Sequence, residues 1–291
     1  MATRMEDPIA TVVGLWRYPV KSMMGEELAA ADLMEYGLLG DRQYAVVDSE
    51  TGKIASAKNP AKWAPLFACR ATYLERPTAT APAPRVQITL PNGTEVSSDQ
   101  HDIGAQLSSV LGRAVHLAVV PPSTPILEEY WPTVEGLPHA DTVTDESMPP
   151  GTFFDCASVH LITTATLDRL AGSNASGRFE PQRFRPNILV ALSTPGSGFI
   201  ENDWVGRILC IGEQAQLRIT GSCGRCVMTT LPQGDLPQDT GILQTAVKEN
   251  HGSVGIYATV VRGGTIRRKD SLRFQEKDAS PPNSLPSEPS A

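Results

Sequence analysis

Short apolar runs broken by turn residues set the narrowest limits on what this chain can fold into. In the first hundred residues the runs Thr11–Trp16, Gln43–Asp48, Phe67–Tyr73 and Val86–Leu90 have strand length and are punctuated by turn formers. That pattern predicts a β-rich unit. The stretch Arg76-Pro-Thr-Ala-Thr-Ala-Pro-Ala-Pro-Arg85 can be neither helix nor central strand, because its prolines fix φ and remove ladder donors. It reads as an exposed loop. One helix is predicted between Asp102 and Leu111, where Ile103, Leu107, Val110 and Leu111 fall at helical spacing before Gly112 stops the run.

The 291 residues are enough to bury a core without staples. From Pro121 to Pro150 the chain turns proline-rich and acidic, with Ile126, Leu127, Tyr130 and Trp131 as its main apolar residues, and predicts a connection between two units. A second unit starts near Phe153. It reads as a strand over Val159–Ile162, a helix over Ala165–Ala171 capped by Thr164, and strands near Ile188–Leu192, Gln216–Thr220, Val254–Val261 and Ser271–Phe274. The final stretch, Glu276–Ala291, is rich in Ser, Pro and charge and reads as a disordered tail.

A net charge of −7 with both signs interspersed offers no basic face for nucleic acid. The longest apolar runs, such as Val12–Trp16 and His160–Ile162, fall far short of the roughly 20 residues of a membrane helix. Met1–Pro8 lacks the apolar run of a signal peptide. These features predict a cytoplasmic protein without a membrane span. Five cysteines, an odd number in a long chain, do not form the framework of a secreted domain, so free thiols are expected.

The sharpest local signal is Gly221-Ser-Cys-Gly-Arg-Cys226, and it has several physical readings. A redox Cys-x-x-Cys wants a helix after its first cysteine, whereas Val227-Met-Thr-Thr-Leu-Pro232 follows. Half a zinc site wants two further ligands, and the five histidines are scattered. Two buried, inert thiols are the plainest reading. The remaining one is a single reactive thiolate at Cys226, favoured by Arg225 and by a soft metal. Anion-binding residue types also recur in Tyr18-Pro-Val-Lys-Ser22, Gly40-Asp-Arg42 and Gln182-Arg-Phe-Arg-Pro-Asn187. Each alone is compatible with a surface ion pair; gathered in an acidic protein they suit binding of an anion.

In combination with Gly14-Leu-Trp-Arg-Tyr-Pro-Val-Lys-Ser22, Gly37-Leu-Leu-Gly-Asp-Arg42, His160-Leu-Ile-Thr-Thr-Ala165 and Gly255-Ile-Tyr-Ala258, these segments resemble the MOSC family. That family is named for the C-terminal domain of molybdenum cofactor sulfurase. The resemblance runs from about Val12 to Phe274 and is nearest to the amidoxime-reducing members, the mitochondrial amidoxime-reducing component and its bacterial counterparts. It implies an α+β, mainly β fold with a few short helices. An N-terminal β-barrel-like domain is expected over residues 8–120, a connection over 121–150, a MOSC β-barrel domain over 151–275 and a tail over 276–291.

The resemblance further implies a molybdenum cofactor (molybdopterin carrying molybdenum), Cys226 as catalytic residue and metal ligand, and cofactor contacts from Lys21, Ser22, Arg42, Thr163, Thr164, Arg183, Arg185, Asn187 and Arg225. Arg225 is expected to hold Cys226 as thiolate, and Cys223 to be inert. The activity implied is reduction of small N-hydroxylated compounds, with electrons from a separate ferredoxin-like, flavin or haem carrier and its reductase. Two other functions share these residues: sulfur transfer through a persulfide on Cys226, and storage or carriage of the cofactor. Pyridoxal phosphate, associated with the sulfurase proteins, would need a desulfurase domain for which this chain has no room.

Overall fold

Alternating burial marks the strands. In β1 (Ala10–Arg17), Ala10, Val12 and Leu15 are buried while Val13 is exposed. The change of phase between Val12 and Leu15 is a bulge in the pairing at Val12/Gly14, the usual way a strand bends within a barrel. The computed structural model describes residues 7–137 and 139–275. The tail expected over Glu276–Ala291 lies outside the described residues.

After β1 come the short β2 (Glu26–Glu27), β3 (Ala30–Met34), β4 (Gly37–Leu38), β5 (Ala45–Asp48), helix α1 (Pro60–Trp63), β6 (Arg70–Tyr73), β7 (Val86–Thr89), β8 (Glu95–Ser97), α2 (Ile103–Leu111) and β9 (Val115–Ala118). β6, β7 and β8 form a three-stranded sheet, and β5 pairs with β9. Ala71, Ile88, Val96, Leu107 and Leu111 share one core. α2 matches its predicted span, and Gly112 ends it at φ 65° in the left-handed region, where glycine carries no Cβ penalty. The proline-rich 76–85 stretch is a loop without helix or strand.

The segment expected as a connection is folded. β10 (Ile126–Trp131) and β11 (Thr142–Ser147) form an antiparallel hairpin. Its inward face was hidden in the sequence because Glu129, a charged residue, occupies a buried position beyond Leu127. Leu127 packs with Ala45, Val47, Ile54, Met148 and Phe153, tying the hairpin to the first half of the chain.

The remaining elements are β12 (Val159–Thr163), α3 (Thr164–Ser173), α4 (Pro181–Phe184), β13 (Ile188–Leu192), β14 (Ile208–Ile211), β15 (Ala215–Gly224), α5 (Gly241–Asn250), β16 (Ser253–Arg262), β17 (Gly264–Arg267) and β18 (Ser271–Phe274). Strands β13, β12, β16, β15, β14, β18 and β1 follow one another in the sheet, and β1 pairs back to β13, so a seven-stranded barrel closes. Its first stave is thus the first strand of the chain. β12 and β13 are parallel, which demands a crossover, and α3 and α4 supply it. Leu15, Leu161, Ile188, Val190, Leu217, Ile256 and Leu272 fill the barrel, each fully buried aliphatic side chain stabilising by about 1.5–3 kcal/mol.

The cap of α3 is Thr163, whose side chain accepts from the Thr166 amide; the expected cap, Thr164, is the first helical residue. Among the described residues no helix is long and apolar enough to cross a membrane.

Candidate functional site

One end of the barrel opens into a cavity of about 290 Å³. The loop after β1 brings Lys21 and Ser22, the turn after β4 brings Arg42, the α4–β13 junction brings Arg185 and Asn187, and the end of β15 brings Cys223, Arg225 and Cys226. The backbone is held against its preference here. Ser22, Arg42, Arg185 and His251 all line the cavity with φ between 51° and 61°, and they are four of seven described non-glycine residues with positive φ. Such conformations cost about 1–3 kcal/mol each and persist where surroundings enforce them, characteristically at functional sites.

The cationic side chains are mostly satisfied from within. Lys21 Nζ donates to Phe153 O at 2.9 Å and is ion-paired with Asp155. Arg42 pairs with buried Asp41, which also accepts from the Tyr18 amide at 2.7 Å and from Asn187 Nδ2 at 3.0 Å. Arg185 and Arg42 lie over the Tyr18 ring at 4.2 and 5.0 Å. Burial nevertheless dominates that phenol, pushing it up to about 12. Asn187 Oδ1 accepts from the His160 amide at 3.1 Å and Ser22 Oγ from the Ala57 amide at 3.1 Å. Among the described residues, two buried donors of cavity-lining side chains are left without a hydrogen-bond partner: Arg185 Nη2 and Arg225 Nε.

Several lining residues had no sequence signal. Lys58 donates to Glu129 at 2.8 Å and lies 3.8 Å from Asp155. Burial alone would push Asp155 up, but Lys21 and then Lys58 hold it well below the usual carboxylate range. Burial favours the neutral amine of Lys58, yet Asp155, Cys226 and Glu129 together raise it. Glu129 and Trp131 reach the cavity from β10, which only the hairpin reveals. Tyr257 and His160 come from β16 and β12, whose pattern predicted strands but not which side chains would face a site.

The two thiols of the Cys-x-x-Cys segment differ, in the sense opposite to expectation. Arg225 Nη1 donates to Cys223 Sγ at 2.7 Å, and its Nη2 donates to Phe184 O at 2.9 Å. Burial would raise Cys223, but Arg225 and His160, with hydrogen bonds from His160 and Tyr257, bring it down to about 6. Cys223 is therefore part of a charged network and not an inert thiol. Cys226 is half-buried and burial pushes it up to about 11, with Lys58 the foremost opposing influence and Arg225 a lesser one. Arg225 thus serves Cys223, while Lys58 does more for Cys226.

Three expected cofactor contacts lie outside the cavity wall. Arg183 is fully buried, and its guanidinium donates to the carbonyls of Arg178, Thr229, Leu231 and Pro237 at 2.7, 3.2, 3.3 and 2.8 Å. It fastens the segment after Cys226 and has no arm free for a ligand. Thr163 is spent on the α3 cap and on Glu201, to which its hydroxyl donates at 2.8 Å. Thr164 begins the helix and does not line the cavity. Among the described residues no cluster of three or more His, Cys, Asp or Glu is placed to hold a metal ion.

Residues 149–273 match the family described as MOSC domain, and residues 9–112 match the MOSC N-terminal beta barrel domain. The chain is 27% identical over 255 residues to mitochondrial amidoxime reducing component 2 of Rattus norvegicus, covering 82% of this chain and 70% of that protein. It is 24% identical over 252 residues to mitochondrial amidoxime-reducing component 1 of Homo sapiens, with 82% and 70% covered. Among solved structures, the YUAD protein of Bacillus subtilis superposes with a TM-score of 0.48 at 14% identity, covering 94% of this chain and 100% of that one.

Proposed function

Since the chain belongs to the MOSC-domain family and carries that family's N-terminal β-barrel domain, we propose that the cavity holds a molybdenum cofactor with Cys226 as protein ligand, in a reductase of N-hydroxylated compounds. The observation that carries this reading is the pairing of one half-buried thiol, Cys226, with a strongly cationic wall. Of the charged residues that line it, Lys21, Arg42, Lys58, Arg185 and Arg225 outnumber Glu129 and Asp155, with Asp41 buried behind Arg42.

The donor set fits an anionic, organic ligand that brings its own metal. An unpaired buried donor costs about 1–3 kcal/mol, and Arg185 Nη2 and Arg225 Nε are two such donors that a phosphate or pterin oxygen would satisfy. With no multi-residue metal cluster among the described residues, a single thiolate suits a metal already chelated by its cofactor. When bound, the cofactor supplies a two-electron couple at molybdenum.

The chain's own part is to bind the ligand and neutralise its charge. Arg42 and Arg185 stand over Tyr18 as a fixed cationic shelf. Lys58 offsets part of the burial that disfavours the Cys226 thiolate a metal requires. Arg225, His160 and Tyr257 favour the thiolate of Cys223 on the same cavity wall. Relatives named for amidoxime reduction support an N-hydroxylated substrate. The reading sets the enzyme in the cytoplasm and draws electrons from a separate ferredoxin-like, flavin or haem carrier with its reductase.

The test is turnover. Wild type purified with bound molybdenum is expected to convert benzamidoxime to benzamidine with a chemical reductant, and Cys226→Ala to lose that conversion. Molybdenum-loaded wild type that never reduces benzamidoxime or another N-hydroxylated compound would overturn the reductase reading and leave a cofactor carrier.

A further inference from the structure

The β10–β11 hairpin supplies a side of the cavity that cofactor binding does not account for. Alternate residues of a strand share a face, so Leu127, Glu129 and Trp131 form one row. Leu127 is locked in the core with Ile54 and Phe153, Glu129 is buried against Lys58, and Trp131, half-buried, lines the cavity at the end of the row. The hairpin tip rests on the second half of the chain. A Cβ at Gly136 would lie 3.0 Å from Val247 of α5, and one at Gly252 would lie 3.4 Å from Leu137. The hairpin therefore straps the cavity, joining the first-half core to the turn after α5.

The indole at this position is fixed and has no polar group to offer. Trp131 Nε1 donates to Thr144 Oγ1 on β11 at 2.7 Å, and the ring lies 5.2 Å from that of His139. Glu129 is committed to Lys58. Leu137 and Met228 add apolar surface to the same cavity. This part of the wall can select a ligand by flat, apolar contact and not by hydrogen bonding.

We propose that Trp131 determines substrate choice, stacking on planar, π-conjugated N-hydroxylated compounds and favouring them over aliphatic ones of equal polarity. The inference rests on the reductase reading for the N-hydroxy group, and adds the class of scaffold that bears it.

The test is the ratio of affinities for benzamidoxime and acetamidoxime, measured by calorimetry on molybdenum-loaded protein without reductant. Trp131→Leu keeps apolar bulk and removes the π-face; the ratio is expected to fall about five- to tenfold, the scale of one aromatic contact. Trp131→Phe should keep the ratio within about threefold. A ratio unchanged in Trp131→Leu, or no preference for benzamidoxime in wild type, overturns the inference. Trp131-dependent binding without turnover would sink the reductase reading while leaving this one standing; turnover without that preference would do the reverse.

Discussion

Arg225 Nη1 meets Cys223 Sγ at 2.7 Å, so the guanidinium serves the cysteine two residues before it more than the one that follows. Strand geometry explains the choice: positions two apart project to one side, and Cys223 and Arg225 lie at the end of β15 and just beyond it. The expected consequence is a thiolate transition near pH 6 in cofactor-free protein. Thiolate ultraviolet absorbance followed against pH should show it in wild type and in Cys226→Ala, and not in Cys223→Ala. Cys226 should ionise only near pH 11. A low transition that vanishes in Cys226→Ala would contradict the assignment.

Asp155 holds two lysines together, and its loss should tell in a pH-dependent way. Its folded-state carboxyl lies below the ordinary value of about 3.9, because Lys21 and Lys58 outweigh the effect of burial. The stability it contributes is fully present above the unfolded value and is lost as pH falls toward the folded one. Asp155→Asn should be less stable than wild type by about 2 kcal/mol at pH 7, with the gap narrowing below about pH 4. Urea titrations across that range check it; a gap independent of pH would refute the ion-pair account.

Arg183 should behave as a structural residue. Removing a guanidinium that donates to four carbonyls leaves several buried acceptors unpaired, and Arg183→Met should cost about 3 kcal/mol or more. Lysine cannot reproduce the planar fork, so Arg183→Lys should restore little of it. Arg183→Met refolding to wild-type stability but losing affinity for molybdenum cofactor would return Arg183 to the binding set.

Gly255 allows β16 to pass close to β12. Its φ is +79°, and a Cβ would lie 2.5 Å from His160 Nε2 and 2.6 Å from Leu161 O. Gly255→Ala should therefore destabilise by about 2 kcal/mol or more and disturb the His160–Cys223 contact. Chemical denaturation gives the first effect, and a shifted Cys223 transition the second.

The strands and α2 were legible because burial alternates with a period that apolar residues report: β13 and β18 fall on the residues predicted. β10 was not, since a charged Glu129 fills an inward position and is paired with Lys58, about seventy residues earlier in the chain. Lys21, Ser22, Arg42, Arg185, Asn187, Arg225 and Cys226, singled out in the sequence, all line one cavity. Arg183 belongs to the same Arg-Phe-Arg run as Arg185, but α4 turns the two in different directions: Arg185 takes the left-handed conformation at the helix end while Arg183 stays inside the turn. Composition carries no trace of that split. Asp155 was silent, and Tyr257 had a matching segment but no assigned role, because a lone acid or tyrosine acquires its role only through neighbours distant in sequence.

Molybdenum content tests the central claim most directly. Wild type and Cys226→Ala, expressed in a host verified to make the cofactor, are compared by elemental analysis. The account predicts near-stoichiometric molybdenum in wild type and a large loss in Cys226→Ala, with thermal stability of the two alike once both are freed of cofactor. Wild type free of molybdenum from such a host would contradict it.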